Sequence, residues 1–196
     1  MAEIKPRYEF RIWSENLSPL RQKLEGLAQP REAASQETYL ISTMTDRCNT
    51  KIRSALMDIK ILIHEDRGLE QWNPILKAGF PLDKSVIANK VFPSLELPPP
   101  PLLKAEYGLE AFLDEVMRAE PRIVIVDVSK IRYQFSVGMC QAEYASITLN
   151  KVPQDTVAVE STDPDAVLHL VRDLGITEPN TSYIRAIKRV LGLAAV

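Results

Sequence analysis

Polar and apolar residues alternate along much of this chain. From Arg7 to Trp13 the residues Arg7, Glu9 and Arg11 oppose Tyr8, Phe10 and Ile12, the two-residue period of a strand with one packed face and one polar face. The same period from Cys48 to Ile63 predicts a hairpin turning near Ser54–Leu56. Lys51 and Arg53 share a face of its first strand; Asp58 and Lys60 share a face of its second, with Met57, Ile59, Ile61 and Ile63 on the other. Three more alternating runs follow. Ser129–Val137 sets Lys130, Arg132 and Gln134 against Ile131, Tyr133 and Phe135. Met139–Leu149 sets Gln141 and Glu143 against Ala142 and Tyr144. Thr156–Glu160 sets Thr156, Ala158 and Glu160 against Val157 and Val159. Glu37–Ser42 and the β-branched run Ile123–Val128 also read as strands.

Helical spacing marks four other places. Leu17, Leu20, Leu24 and Leu27 form a stripe that Ser14 could cap and that ends near Gly26–Pro30. Gly108–Met117 is amphipathic, with Leu109, Phe112, Leu113 and Val116 on one side. Asp163 and Pro164 open a helix carrying Val167, Leu168, Val171 and Leu174 and stopping at Gly175. A last helix, opened by Asn180 or Thr181, carries Tyr183, Ile184, Ile187 and Leu191. Between Glu65 and Pro101 the periods break down. Trp72, Asn73 and Pro74, then Gly79, Phe80 and Pro81, predict short punctuated elements. Asp83 caps a short helix through Val91, and Pro98–Pro101 is a stiff extended connector. The expectation is one α+β domain over 1–196 with a mostly antiparallel sheet and an irregular Pro-rich insertion around 65–107.

Composition narrows the function. A chain of 196 residues, 45% hydrophobic, can build a core without staples, and its two cysteines are too few for a disulfide framework or a Cys-type zinc site. A net charge of −2 argues against general nucleic-acid binding. No apolar leader stretch opens the chain and no run approaches about 18 apolar residues, so no membrane role and a cytoplasmic setting are expected. His64 and His169 stand apart in sequence and read as surface or structural residues. Trp13 and Trp72 read as packing, with an interface anchor as the alternative for Trp72.

The polar faces hold the chemistry. They collect seven cations (Arg7, Arg11, Lys51, Arg53, Lys60, Lys130 and Arg132) and four carboxylates (Glu9, Asp58, Glu143 and Glu160), an excess of three positive charges in a chain that is negative overall. Two readings follow. In one, a half-buried sheet turns this face to water, where charges of both signs are ordinary. In the other, the sheet curls up with its charges inside, at a desolvation cost that a bound anion would offset. An interior of that kind suits a polyphosphate held by Arg and Lys, with carboxylates around a divalent ion. Alternation alone does not say which way the face points.

The order of motifs resembles the CYTH superfamily, the triphosphate tunnel enzymes that include class IV adenylate cyclases and thiamine and inorganic triphosphatases. The resemblance runs through Glu9, Glu37-Thr38-Tyr39, Lys51-Ile52-Arg53, Asp58-Ile59-Lys60, Lys130-Ile131-Arg132, Ala142-Glu143-Tyr144 and Val159-Glu160-Ser161. It implies an antiparallel β-barrel, a tunnel with helices packed outside. It implies that Arg11, Lys51, Arg53, Lys60, Lys130 and Arg132 bind substrate phosphates, that Glu9, Glu143 and Glu160 bind Mg or Mn, and that Glu9 and Glu160 serve catalysis. The reaction would be triphosphate hydrolysis or nucleotidyl cyclisation, and the ligand a small phosphorylated compound or inorganic polyphosphate. The family's Glu-x-Glu-x-Lys signature is degenerate here: Arg7, Glu9 and Arg11 stand in its places, and Ala158 stands where a second late glutamate would pair with Glu160. Losing two hard oxygen ligands predicts weak metal-dependent turnover. The alternatives are an anion-binding module without cofactor or catalysis and a partner-binding structural protein.

Overall fold

The computed structural model describes residues 5–194. In chain order its strands are β1 (Arg7–Ser14), β2 (Arg31–Ser42), β3 (Cys48–Arg53), β4 (Leu56–Asp66), β5 (Leu69–Gly79), β6 (Leu82–Asp83), β7 (Glu106–Tyr107), β8 (Ile123–Val137), β9 (Cys140–Leu149) and β10 (Val152–Ser161). Among the described residues, eight of them pair antiparallel into a closed barrel in the order β1-β10-β9-β8-β2-β3-β4-β5, while β6 and β7 pair separately. The longest ladder joins β2 to β8, from Arg31 opposite Gln134 to Ser42 opposite Ile123. The seam that closes the barrel is short: Arg7, Tyr8 and Glu9 of β1 face Trp72, Gln71 and Glu70 of β5.

β5 corrects the expectation of short elements after Glu65. Pro74 lacks an N–H for the ladder, and it is accommodated where the β4–β5 register slips between Ile59 and Lys60. A second slip, between Leu62 and His64, leaves Ile63 unpaired. The alternation inverts there: Leu62 is buried at 5% exposure and Ile63, expected on the packed face, is 43% exposed. β2 starts six residues before the apolar run that announces it, because residues from Arg31 onward are held by pairing to β8 rather than by their own propensity. β8 runs unbroken through the junction between the two predicted strands.

The helices are α1 (Ser18–Leu27), α2 (84–94, with a π turn at Ile87–Val91), α3 (109–117), α4 (Pro164–Asp173) and α5 (Tyr183–Val190). Ser14 does not cap α1; it ends β1, and Ser18 and Pro19 open the helix, with Leu17 N–H donating to Asp155. Asp83 caps α2 and Asp163 caps α4 as their sequences predict. α5 starts after Ser182. The backbone at 180–181 is held instead by β1: Arg11 N–H donates to Asn180 Oδ1, and Thr181 N–H donates to Arg11 O, each at 2.8 Å.

Two helical layers lie outside the barrel. α2 and α3 pack Ile87, Val91, Phe92 and Phe112 onto Leu40, Ile52, Met57 and Ile59, the outward residues of β2–β4. α1 and α4 pack Leu24, Val167 and Leu174 onto Ile12, Phe135, Val157 and Val159 on another side. α5 takes a third position. Its Tyr183, Ile184 and Ile187 cluster with Tyr39, Ile41, Val126, Val128, Ala145 and Ile147, which occupy the inward positions of β2, β8 and β9. The helix therefore plugs one end of the barrel. Lys188, almost fully buried, fastens it there through Asp46 Oδ1 at 2.6 Å and Thr45 O at 3.1 Å. No helix among the described residues is long and apolar enough to cross a membrane.

Candidate functional site

The polar faces point inward. Beyond the plug the barrel encloses a cavity of about 820 Å³, and every residue that the sequence nominates for phosphate, metal or catalysis lines it. β1 contributes Glu9 and Arg11, the β3–β4 hairpin contributes Lys51, Arg53 and Lys60, β8 contributes Lys130 and Arg132, and β9 and β10 contribute Glu143 and Glu160. Arg7, Asp58 and Ala158 share the lining. The solvated-face reading of the charges is thereby overturned. A side lobe of about 230 Å³ continues past Lys60 and Glu160 to Lys77 and Trp72. Trp72 is buried, with its indole N–H donating to Glu70, so it is no interface anchor. His64 and His169 are exposed, as expected.

Depth separates the cations. Lys130, whose side chain is 3% exposed, and Arg11 lie deepest, whereas Arg7 at 50% stands at the mouth. The floor is aromatic. Tyr39 and Tyr183 stack with ring centres 5.6 Å apart. Lys130 Nζ sits 4.0 Å from the Tyr183 ring centre and donates to Tyr39 Oη at 2.9 Å. The Arg11 guanidinium lies 4.4 Å over the same Tyr183 ring. The plug thus supplies one wall of the site.

Glu37 is the functional residue that the sequence leaves without a role. Its carboxylate is fully buried beneath the cations, 2.8 Å from Lys130, 3.2 Å from Lys51 and 3.3 Å from Arg53. Burial alone would raise its pKa, but Lys51, Lys130 and Arg53 hold it well below the usual carboxylate range. The signal was its place two residues before Tyr39: a charge on the inward face of a strand whose next inward residues are apolar. Burial acts on the lysines in the other direction. Desolvation, reinforced by Lys130 for Lys51 and by Arg11 for Lys130, pulls both ammonium groups down to about 8 against the attraction of Glu37. Arg31, at the start of β2, is a cation of the lining that the sequence leaves outside any strand.

Among the described residues the cavity wall holds eight basic and four acidic side chains. With Glu37 beneath them, the site keeps an excess of three positive charges. The three carboxylates nominated for metal are each engaged. Glu160 meets Arg7 at 2.7 Å, Glu9 meets Arg11 at 2.8 Å, and Glu143 lies 3.8 Å from Arg11 and 3.6 Å from Arg132. No three His, Cys, Asp or Glu side chains gather as a metal cluster among the described residues. Mg and Mn ask for several oxygen ligands free to turn toward them. These residues do not fit such an ion as they are arranged: a guanidinium group holds one oxygen of Glu9 and one of Glu160, and two flank Glu143.

No family model and no curated protein sequence matches the chain. Solved structures do. HpAC1 from Hippeastrum, described by its dominant triphosphatase activity, superposes with a TM-score of 0.52 over 96% of this chain and 97% of its own, at 13% identity. The PH1012 protein of Pyrococcus horikoshii gives 0.53 over 92% and 98%, at 16% identity. The PH1819 protein of the same organism gives 0.53 over 93% and 99%, at 14% identity. The fold is of the CYTH type. At these identities the likeness describes the CYTH barrel and leaves the chemistry to the residues of this chain.

Proposed function

We propose that this CYTH-type barrel binds a triphosphate or a chain-end of inorganic polyphosphate in its basic interior. The observation that carries the reading is the convergence of cations from β1, β2, β8 and the β3–β4 hairpin on a single cavity whose charges are otherwise costly to bury. Lys130 and Arg11 at the floor would take the innermost phosphoryl group; Lys51, Arg132, Lys60 and Arg53 would take the next ones; Arg7 would meet whatever extends from the mouth. Planar guanidinium forks suit phosphate oxygens, and ammonium groups neutralise charge without demanding one geometry. Because α5 closes one end, the chain of phosphates enters and leaves by the same mouth and does not thread.

A triphosphatase or adenylyl-cyclase-like reaction is the finer reading, supported by the activity described for HpAC1 and by Glu9 and Glu160 facing one another across β1 and β10. In that reading Glu9 and Glu160 would position the attacking group and the cations around them would take up the developing negative charge. The arginine pairs on Glu9, Glu143 and Glu160 make slow turnover the expectation. Isothermal titration with tripolyphosphate, a nucleoside triphosphate and long-chain polyphosphate, with sulfate as control, tests the binding. Phosphate release with Mg or Mn tests the chemistry. Failure of every polyphosphate to bind would overturn the proposal; brisk metal-dependent release would favour the enzyme.

A further inference from the structure

Arginine and carboxylate are matched in this cavity almost one to one, and the matching has a direction. Arg11 lies between Glu9 and Glu143, the place from which a cation could reach both carboxylates. It is held there: its guanidinium also donates to Thr156 Oγ1 at 3.1 Å and rests on the Tyr183 ring, and its side chain is almost fully buried. A guanidinium fixed on three sides keeps its charge and does not yield its place to an ion. Arg7 meets Glu160 through one nitrogen at the mouth, and with five N–H donors a guanidinium can serve a carboxylate and a phosphate together.

We infer that Arg7 and Arg11 stand in place of a divalent cation, so that the cavity binds its polyphosphate without metal. The inference rests on the polyphosphate reading above and goes further in naming the form of the ligand: the free polyanion, not its magnesium complex. Charge supports the choice. Four of the five carboxylates, Glu9, Glu37, Glu143 and Glu160, are already paired with a cation, and three positive charges remain in excess. A magnesium complex brings less negative charge to that excess than the free anion does. The three carboxylates nominated for metal are already claimed by guanidinium groups: Arg7 holds an oxygen of Glu160, Arg11 an oxygen of Glu9, and Arg11 and Arg132 flank Glu143.

The test is calorimetric titration of sodium tripolyphosphate into the full chain, in EDTA and in excess magnesium. The expected result is binding in EDTA, weakened when magnesium is in excess. Arg7→Glu, at a half-exposed position, should lose at least ~10-fold in affinity in EDTA, the size expected for one charged hydrogen bond, and regain it on adding magnesium or manganese. Arg7→Gln, which adds no carboxylate, should lose affinity without the metal rescue, and a thermal melt of each variant separates binding from folding. Binding by the unaltered chain in magnesium but not in EDTA would overturn the inference and leave the polyphosphate site standing. Binding in neither would remove both. Unchanged affinity of Arg7→Glu in EDTA would show that Arg7 is no part of the anion site.

Discussion

Along β8 the inward residues read Val124, Val126 and Val128, and then Lys130, Arg132 and Gln134; along β2, running the other way, they read Ile41 and Tyr39, and then Glu37. One pleat separates a packed interior from a charged one. In the first half, α5 fills the barrel with Ile184 and Ile187, each worth roughly 1.5–3 kcal/mol on burial. In the second half, nothing of the kind is available, and cations brought within a few ångströms of one carboxylate repel one another. At an effective dielectric of 20, two like charges 4 Å apart cost about 4 kcal/mol. The comparison teaches a division of labour. The apolar half holds the strands in fixed register, and that rigidity lets the polar half keep its charges close enough together to grip a polyanion.

The sharpest way to break the polar half is to remove its counter-charge. Glu37→Gln leaves Lys51, Arg53 and Lys130 crowded around a neutral group, and breaking a buried ion cluster from one side costs about 3–5 kcal/mol. Against a typical domain stability of roughly 5–15 kcal/mol this is severe. Urea denaturation should show the loss, and saturating tripolyphosphate should restore part of it by mass action. A change under about 1 kcal/mol would mean that water, not Glu37, compensates the lysines.

The same measurement on the apolar half should separate the two. Ile187→Ala removes a fully buried side chain from the plug and should cost about 2–5 kcal/mol of stability. Under conditions where the chain is still folded its affinity for tripolyphosphate should stay within about threefold, less than one ordinary hydrogen bond is worth. A large fall in affinity would show that the plug tunes the site as well as closing the barrel.

Much of this contrast was legible in the sequence, and the missing parts have physical causes. Alternation located the strands and sorted Lys51, Arg53, Lys60, Lys130 and Arg132 onto one face, but a period of two has no sense of inside and outside, so the direction of that face waited for barrel closure. The stripe of Tyr183, Ile184 and Ile187 was plain, yet an amphipathic helix does not name what it packs against; here it is the barrel's interior. β5 was hidden by Pro74, which reads as a breaker until a bulge in the partner register accommodates it. Glu37 was hidden by the apolar residues after it in β2. The strand looks like core because half of it is.

A milder change acts on affinity alone. Arg53→Met removes one of the cations around Glu37 while Lys51 and Lys130 remain to hold it. One charged contact to phosphate is worth about 1.5–3 kcal/mol, so binding should fall by about 10-fold or more. Stability should hold or rise slightly, because a like-charge contact is relieved. Loss of folding instead would make Arg53 a structural partner of Glu37 and exclude the hairpin from the anion site.

The smallest effect is reached without mutation. Lys51 and Lys130 are protonated in the unfolded chain up to their ordinary value of 10.5, but in the empty cavity burial brings both down to about 8. Between these limits the unfolded state binds protons that the native state does not, so these two groups make the free protein more stable as pH rises through that window. Below about 8 the term reverses no further: both states are protonated and the desolvation cost is paid in full. Anion binding has the opposite slope. A bound polyphosphate favours the charged lysines, so affinity should be level from neutral pH to about 8 and fall above it, with protons taken up from the buffer on binding near pH 8–9. Titrations in two buffers of different ionisation enthalpy measure that uptake directly. A flat affinity across this range, with no proton uptake, would place the phosphates away from the floor of the cavity, on Arg7, Arg53 and Arg132 near its mouth.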